Sequence, residues 1–91
     1  MKISEEKKRK ILEQILSYLY SVSPKPVFTA HIAREIARDE EFIKKLLKDL
    51  KKQGLIVEIK KNSEGKIYIK RSRWKLSEKT YNIYKSKQNM F

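Results

Sequence analysis

The chain contains no cysteine, one histidine, two glycines and two prolines among its 91 residues. Without cysteine there is no disulfide, no thiolate metal site and no thiol nucleophile. A lone His31 excludes a multi-histidine metal centre, and nothing in the pattern supports Ser/His/Asp catalysis. With so few glycines there is no Gly-rich loop to cradle a phosphate. No apolar stretch approaches the about 20 residues needed to span a bilayer. The opening residues, Met1-Lys2-Ile3-Ser4-Glu5-Glu6, are charged and lack the apolar core of a secretion signal. These absences predict a soluble cytoplasmic protein that is not an enzyme and has no cofactor, metal or membrane contact; no small-molecule effector is evident from the sequence. The length fits one domain, which buries roughly 60–65% of its unfolded surface. That suffices for a core but not for a deep catalytic cleft.

Positive charge is what the chain has in excess. The formal net charge is +12. Residues 1–43 hold 8 Lys/Arg against 7 Asp/Glu, whereas residues 44–91 hold 15 against 4. Charge added only for solubility would not sort this way, so a polyanionic partner is expected. A thermophile-style surface rich in Lys, Glu and Ile is the competing account, and the two are compatible.

The periodicity gives an order of elements. Ser4 suits the cap of a first helix, with Glu5 and Glu6 in its first turn. Ile11, Leu12, Ile15, Leu16 and Leu19 form one apolar face, and the helix should end near Tyr20. Ser23-Pro24-Lys25-Pro26 is not helical, and Val27-Phe28 reads as a short strand. Thr29 is the expected cap of a second helix over 30–38, burying Ile32, Ala33, Ile36 and Ala37. Asp39 should cap a third helix, with Glu40 and Glu41 in its first turn. Ile43, Leu46, Leu47 and Leu50 fall on one side of it. Gly54 is its expected left-handed terminus. Strands are expected at 57–60 and 66–70, with Val57, Ile59, Ile67 and Ile69 inward, joined through Asn62-Ser63-Glu64-Gly65. Ser77 should cap a last helix over 77–88, with Tyr81 and Tyr84 on one face.

Lys44, Lys45, Lys48 and Lys52 occupy the polar face of the third helix, beside Glu41, which is spaced to pair with Lys45. Lys60, Lys61 and Lys66 flank the hairpin turn, and Arg71 and Arg73 follow it. A solvated helix face and protection of an edge strand are the ordinary uses of such lysines. Their concentration in the basic half of the chain makes these nine residues the candidate binding set. The helix face carries no Arg or Asn, and its one Gln, Gln53, stands at the far end. Those types make most bidentate base contacts, whereas lysine binds phosphate as a point charge. Base readout should therefore be weak, with some specificity from nucleic-acid shape. His31 is expected on the surface. Trp74, Tyr81 and Tyr84 are expected in the core or at a dimer seam rather than stacking on bases.

The order from Thr29 to Arg71 resembles the winged helix-turn-helix family of DNA-binding domains. Ala33 and Gly54 stand 21 residues apart, the separation usual in that family. Leu76-Ser77-Glu78-Lys79 resembles the step that often follows the wing. The size and Lys/Ile-rich style are similar to small archaeal and archaeal-virus regulators. Ala37 departs from the pattern, since a glycine usually stands near that turn, and predicts a tighter or more helical turn. The resemblance implies an α+β domain: helix-turn-helix at about 29–53, wing at about 55–71 and C-terminal helix at about 77–88. It implies binding of double-stranded DNA and transcription regulation, with the third helix in the major groove and the wing on the backbone. A homodimer is expected, because paired half-sites add the discrimination that one lysine-faced helix lacks. An RNA-binding winged helix and a protein-interaction winged helix in a larger assembly are the alternatives.

Overall fold

The computed structural model describes residues 4–60 and 71–88. Its elements run α1 (Glu5–Val22), β1 (Val27–Phe28), α2 (Thr29–Ile36), α3 (Glu40–Lys52), β2 (Ile56–Ile59), β3 (Arg73–Leu76) and α4 (Glu78–Gln88). The sheet order is β1-β3-β2, antiparallel throughout, with Val27 opposite Trp74 and Ile56 opposite Leu76. The four helices pack against this small sheet, in the α+β arrangement that the resemblance implies. No helix among the described residues is long and apolar enough to cross a membrane.

The core follows from the periodic positions. Ile11, Ile15 and Leu19 of α1 meet Ile32 and Ala33 of α2, Ile43, Leu46, Leu47 and Leu50 of α3, and Ile56, Trp74 and Leu76 of the sheet. Leu12 and Leu16 lie partly buried at its margin. Two helix starts are capped as their residue types dictate. The Ser4 hydroxyl accepts from the Lys7 amide at 3.2 Å, and the Asp39 carboxylate accepts from the Phe42 amide at 3.1 Å. Ser77 caps α4 in the same way, accepting from the Thr80 amide at 3.3 Å. Tyr81 and Tyr84 pack on Tyr20 of α1, with ring centroids 5.5 Å apart in both pairs.

Several expectations are corrected. Thr29 does not cap α2; Phe28 occupies the cap position without a side-chain bond. The Thr29 hydroxyl instead accepts from the Trp74 indole N–H at 2.8 Å, joining α2 to β3. The helix stops at Ile36, two residues early, because Ala37 turns left-handed at φ 60° and ψ 48°. Ala37 is thereby exposed rather than buried. The α3 terminus has the same closure: Leu55 N–H bonds to the Leu50 carbonyl at 3.0 Å and Gly54 N–H to Lys51 at 2.9 Å. The strand β2 begins at Ile56, not Val57. Ile56 is buried against Leu76, so the two-residue period turns Glu58 inward and leaves Val57 exposed. Glu41 and Lys45 form no ion pair; among the described residues the cross-element pairs are Lys8 with Asp49 and Lys51 with Glu58. The strand expected at 66–70 and the turn Asn62-Ser63-Glu64-Gly65 lie outside the described residues. Arg73–Leu76, where no strand is expected from the sequence, is the strand that pairs with both β1 and β2.

Candidate nucleic-acid interface

The position of α3 fixes the site. Its apolar side is locked into the core by Ile43, Leu46, Leu47 and Leu50, all buried. The 100° step per residue then turns Lys44, Lys45, Lys48 and Lys52 outward, and all four are exposed. Acidic residues fill the first turn and lysines the last, which suits the helix dipole at both ends.

Between α3, the start of α2 and the sheet lies a groove of about 900 Å³. Lys44, Lys48 and Lys52 line it from α3, Lys60 from the end of β2, and Arg71 from the approach to β3. Lys51 lines it as well, which makes six cationic side chains against the carboxylates of Glu40, Glu41 and Glu58. Such a groove attracts a polyanion and suits repeated phosphate contacts.

The structure brings together five of the nine residues predicted from the sequence. Lys45 is exposed but does not line the groove. Arg73 belongs to β3, opposite Phe28 and Ile59, is half-buried, and does not line it either. Lys61 and Lys66 lie outside the described residues. Four participants, Lys51, Glu58, Ser72 and Phe28, escape a sequence reading. Lys51 donates to Glu58 Oε1 at 2.8 Å, and the Ser72 hydroxyl donates to the other oxygen of the same carboxylate. The Arg71 guanidinium lies over the Phe28 ring, 5.7 Å from its centroid. Phe28 in turn meets His31 edge-on, with centroids 6.3 Å apart, and His31 is exposed as expected. The signal for Lys51 and Glu58 was the strand register: with Ile56 inward, Glu58 must face α3.

Burial raises the Glu58 pKa. Hydrogen bonds from Lys51 and Ser72, with the positive charges of Lys51 and Lys60, outweigh burial and hold it below the ordinary value of 4.5. The carboxylate is therefore ionised at neutral pH.

The fold is that of winged-helix domains. No protein-family model and no curated protein matches the chain. Solved structures do. The Zα domain of Carassius auratus PKZ, in complex with Z-DNA, matches at TM-score 0.60 and 17% identity, over 77% of this chain and 97% of that one. Staphylococcus aureus MepR, in complex with DNA, matches at TM-score 0.68 and 20% identity, over 94% and 74%. A Lactococcus lactis ZitR variant matches at TM-score 0.69 and 22% identity, over 98% of this chain but 56% of that chain. At these identities the likeness is one of fold.

Proposed function

We propose that this chain binds double-stranded DNA and acts as a transcription regulator, with α3 in the major groove and the root of the wing along the adjacent backbone. The observation that carries this reading is the six-cation groove, built between the exposed face of α3 and the β2–β3 edge of a winged-helix fold. Two of its structural neighbours were solved with DNA bound, and MepR is a transcription regulator. An α-helix fits the B-form major groove, and lysines on its polar face meet the flanking phosphates. The absence of Arg and Asn from α3 makes the contacts mostly phosphate-directed, with DNA shape supplying much of the selectivity. Lys61 and Lys66 extend the backbone contact beyond Lys60 and Arg71. The active species is a homodimer, which doubles the contacted site, with α1 and α4 as its seam. Ile83 of α4 is 44% exposed and is available to such a seam.

Fluorescence anisotropy with a duplex, a structured RNA and a single strand, each titrated across a salt series, tests the reading. The expected result is tightest binding to duplex, with a log–log salt slope near −0.9 for each phosphate contact. Tighter binding to RNA would overturn the DNA assignment. Sedimentation of free and bound protein tests the dimer.

A further inference from the structure

The groove is basic at its rim but not in its recess. The Glu58 side chain is 11% exposed, against 50% for its partner Lys51. Three segments fix the carboxylate: β2 carries it, Lys51 of α3 donates to it at 2.8 Å, and Ser72 donates to it from just before β3. The Lys51 charge is thus already balanced within the protein. A phosphate entering the recess meets a carboxylate whose Lys51 partner is already engaged and gains no net attraction there. One held at the rim meets Lys44, Lys48, Lys52, Lys60 and Arg71, which outnumber Glu40 and Glu41. The rings lining the groove do not favour a single strand either. Trp74 is 1% exposed and its indole N–H is taken by Thr29. Phe28 is half-buried with Arg71 over its face. Neither ring is an open platform for base stacking, on which single-strand binders depend.

We propose that Glu58 is a specificity-determining residue of this groove: its recessed carboxylate excludes a flexible single strand from settling into the groove and so favours a duplex, whose stiff backbone rides on the lysine rim. This inference rests on the DNA-binding reading above. A duplex is stiff over the length of this groove, with a persistence length of about 150 bp, so on this proposal it feels the recessed carboxylate less than a flexible single strand does.

Glu58→Gln keeps the shape but removes the charge and turns one acceptor into a donor, which the Ser72 hydroxyl can rotate to accept, and Glu58→Asp keeps the charge. Anisotropy titrations of the whole chain with a short duplex and one of its separated strands decide the matter, with thermal melts to confirm folding. For E58Q, single-strand affinity should rise about tenfold and duplex affinity at most about threefold, a modest share of the cost of juxtaposed like charges. The single-strand salt slope should steepen by about 0.7 as Lys51 becomes free to bind a phosphate. E58D should keep the wild-type ratio of duplex to single-strand affinity within about twofold, since the charge remains. A folded E58Q with an unchanged ratio, or an E58D that matches E58Q, overturns this inference and leaves duplex binding standing. A wild-type chain that binds no duplex at low salt overturns the parent reading and this one together.

Discussion

Ala37 and Gly54 occupy equivalent places, each just past a helix end and each at positive φ, 60° and 76° respectively. Only one of them is a glycine. A left-handed conformation costs an L-residue roughly 1–2 kcal/mol, and glycine escapes that cost but loses about 0.5–1 kcal/mol of chain freedom on folding. Ala37→Gly should therefore stabilise the domain by up to about 1 kcal/mol, the difference of those two effects. Gly54→Ala should destabilise it by about 1 kcal/mol, although the added methyl meets nothing within 4 Å. Urea denaturation of both variants checks the pair; a marked loss of stability in A37G would mean the turn holds Ala37 for its methyl group. The sequence disclosed the Gly54 turn because glycine advertises such a conformation. It concealed the Ala37 turn, where the closing bonds from Ala37 to Arg34 at 3.2 Å and from Arg38 to Ala33 at 3.0 Å override the preference of the residue. Thr29 was hidden for a related reason. A threonine before a helix reads as a cap, and only the fold brings Trp74, 45 residues on, close enough to claim its hydroxyl.

The helices were more legible than the strands, for a physical reason. In α3 four apolar positions repeat over two turns, so Ile43, Leu46, Leu47 and Leu50 fix the face without knowledge of the rest. Leu46→Ala or Leu50→Ala should cost roughly 2–5 kcal/mol, and Lys45→Ala should cost little, since Lys45 is exposed. Equal denaturation midpoints for the three would show the face to be reversed. In β2 only four residues carry the pattern, and a slip of one exchanges its faces. The apolar run Leu55-Ile56-Val57 fits either register; the sequence favours Val57 and Ile59 inward, and the pairing of Ile56 with Leu76 sets the opposite one. The alternation of Trp74 and Leu76 with Arg73 and Lys75 was a strand signal of the same short kind. The corrected register gives the Lys51–Glu58 pair a linkage role between α3 and β2. Because the Glu58 pKa is lower in the folded state than its ordinary 4.5, its contribution is fully present above that value. It is lost as pH falls through the lower folded value. The stability gap between wild type and Glu58→Gln, measured by urea denaturation, should thus narrow from neutral pH to about pH 3. A gap that does not change with pH would mean the pair adds nothing to stability.

Across the whole molecule, the groove draws its cations from the second half of the chain, since every lysine and arginine lining it lies at or beyond Lys44. The first half serves chiefly as scaffold: α1 carries Ile11, Ile15 and Leu19 into the core. Total charge and local charge therefore make different predictions. If attraction to DNA came from the net +12 alone, any two basic residues would be equivalent. If it comes from the groove, position decides. Lys44→Glu with Lys48→Glu should weaken duplex binding and flatten the log–log salt slope by about 1.8, or about 0.9 for each lost phosphate contact. Lys25→Glu with Arg38→Glu changes net charge by the same amount on exposed positions that lie outside α1 and α4 and do not line the groove. That variant should keep the wild-type slope and lose only the small long-range steering, which salt screens over about 10 Å at 0.1 M. Both pairs sit away from the buried apolar faces, so both variants should melt near the wild-type temperature. Salt titrations of the two double variants against one duplex separate the accounts. Equal losses of slope would show that charge acts through the whole surface and that α3 has no privileged contact with DNA.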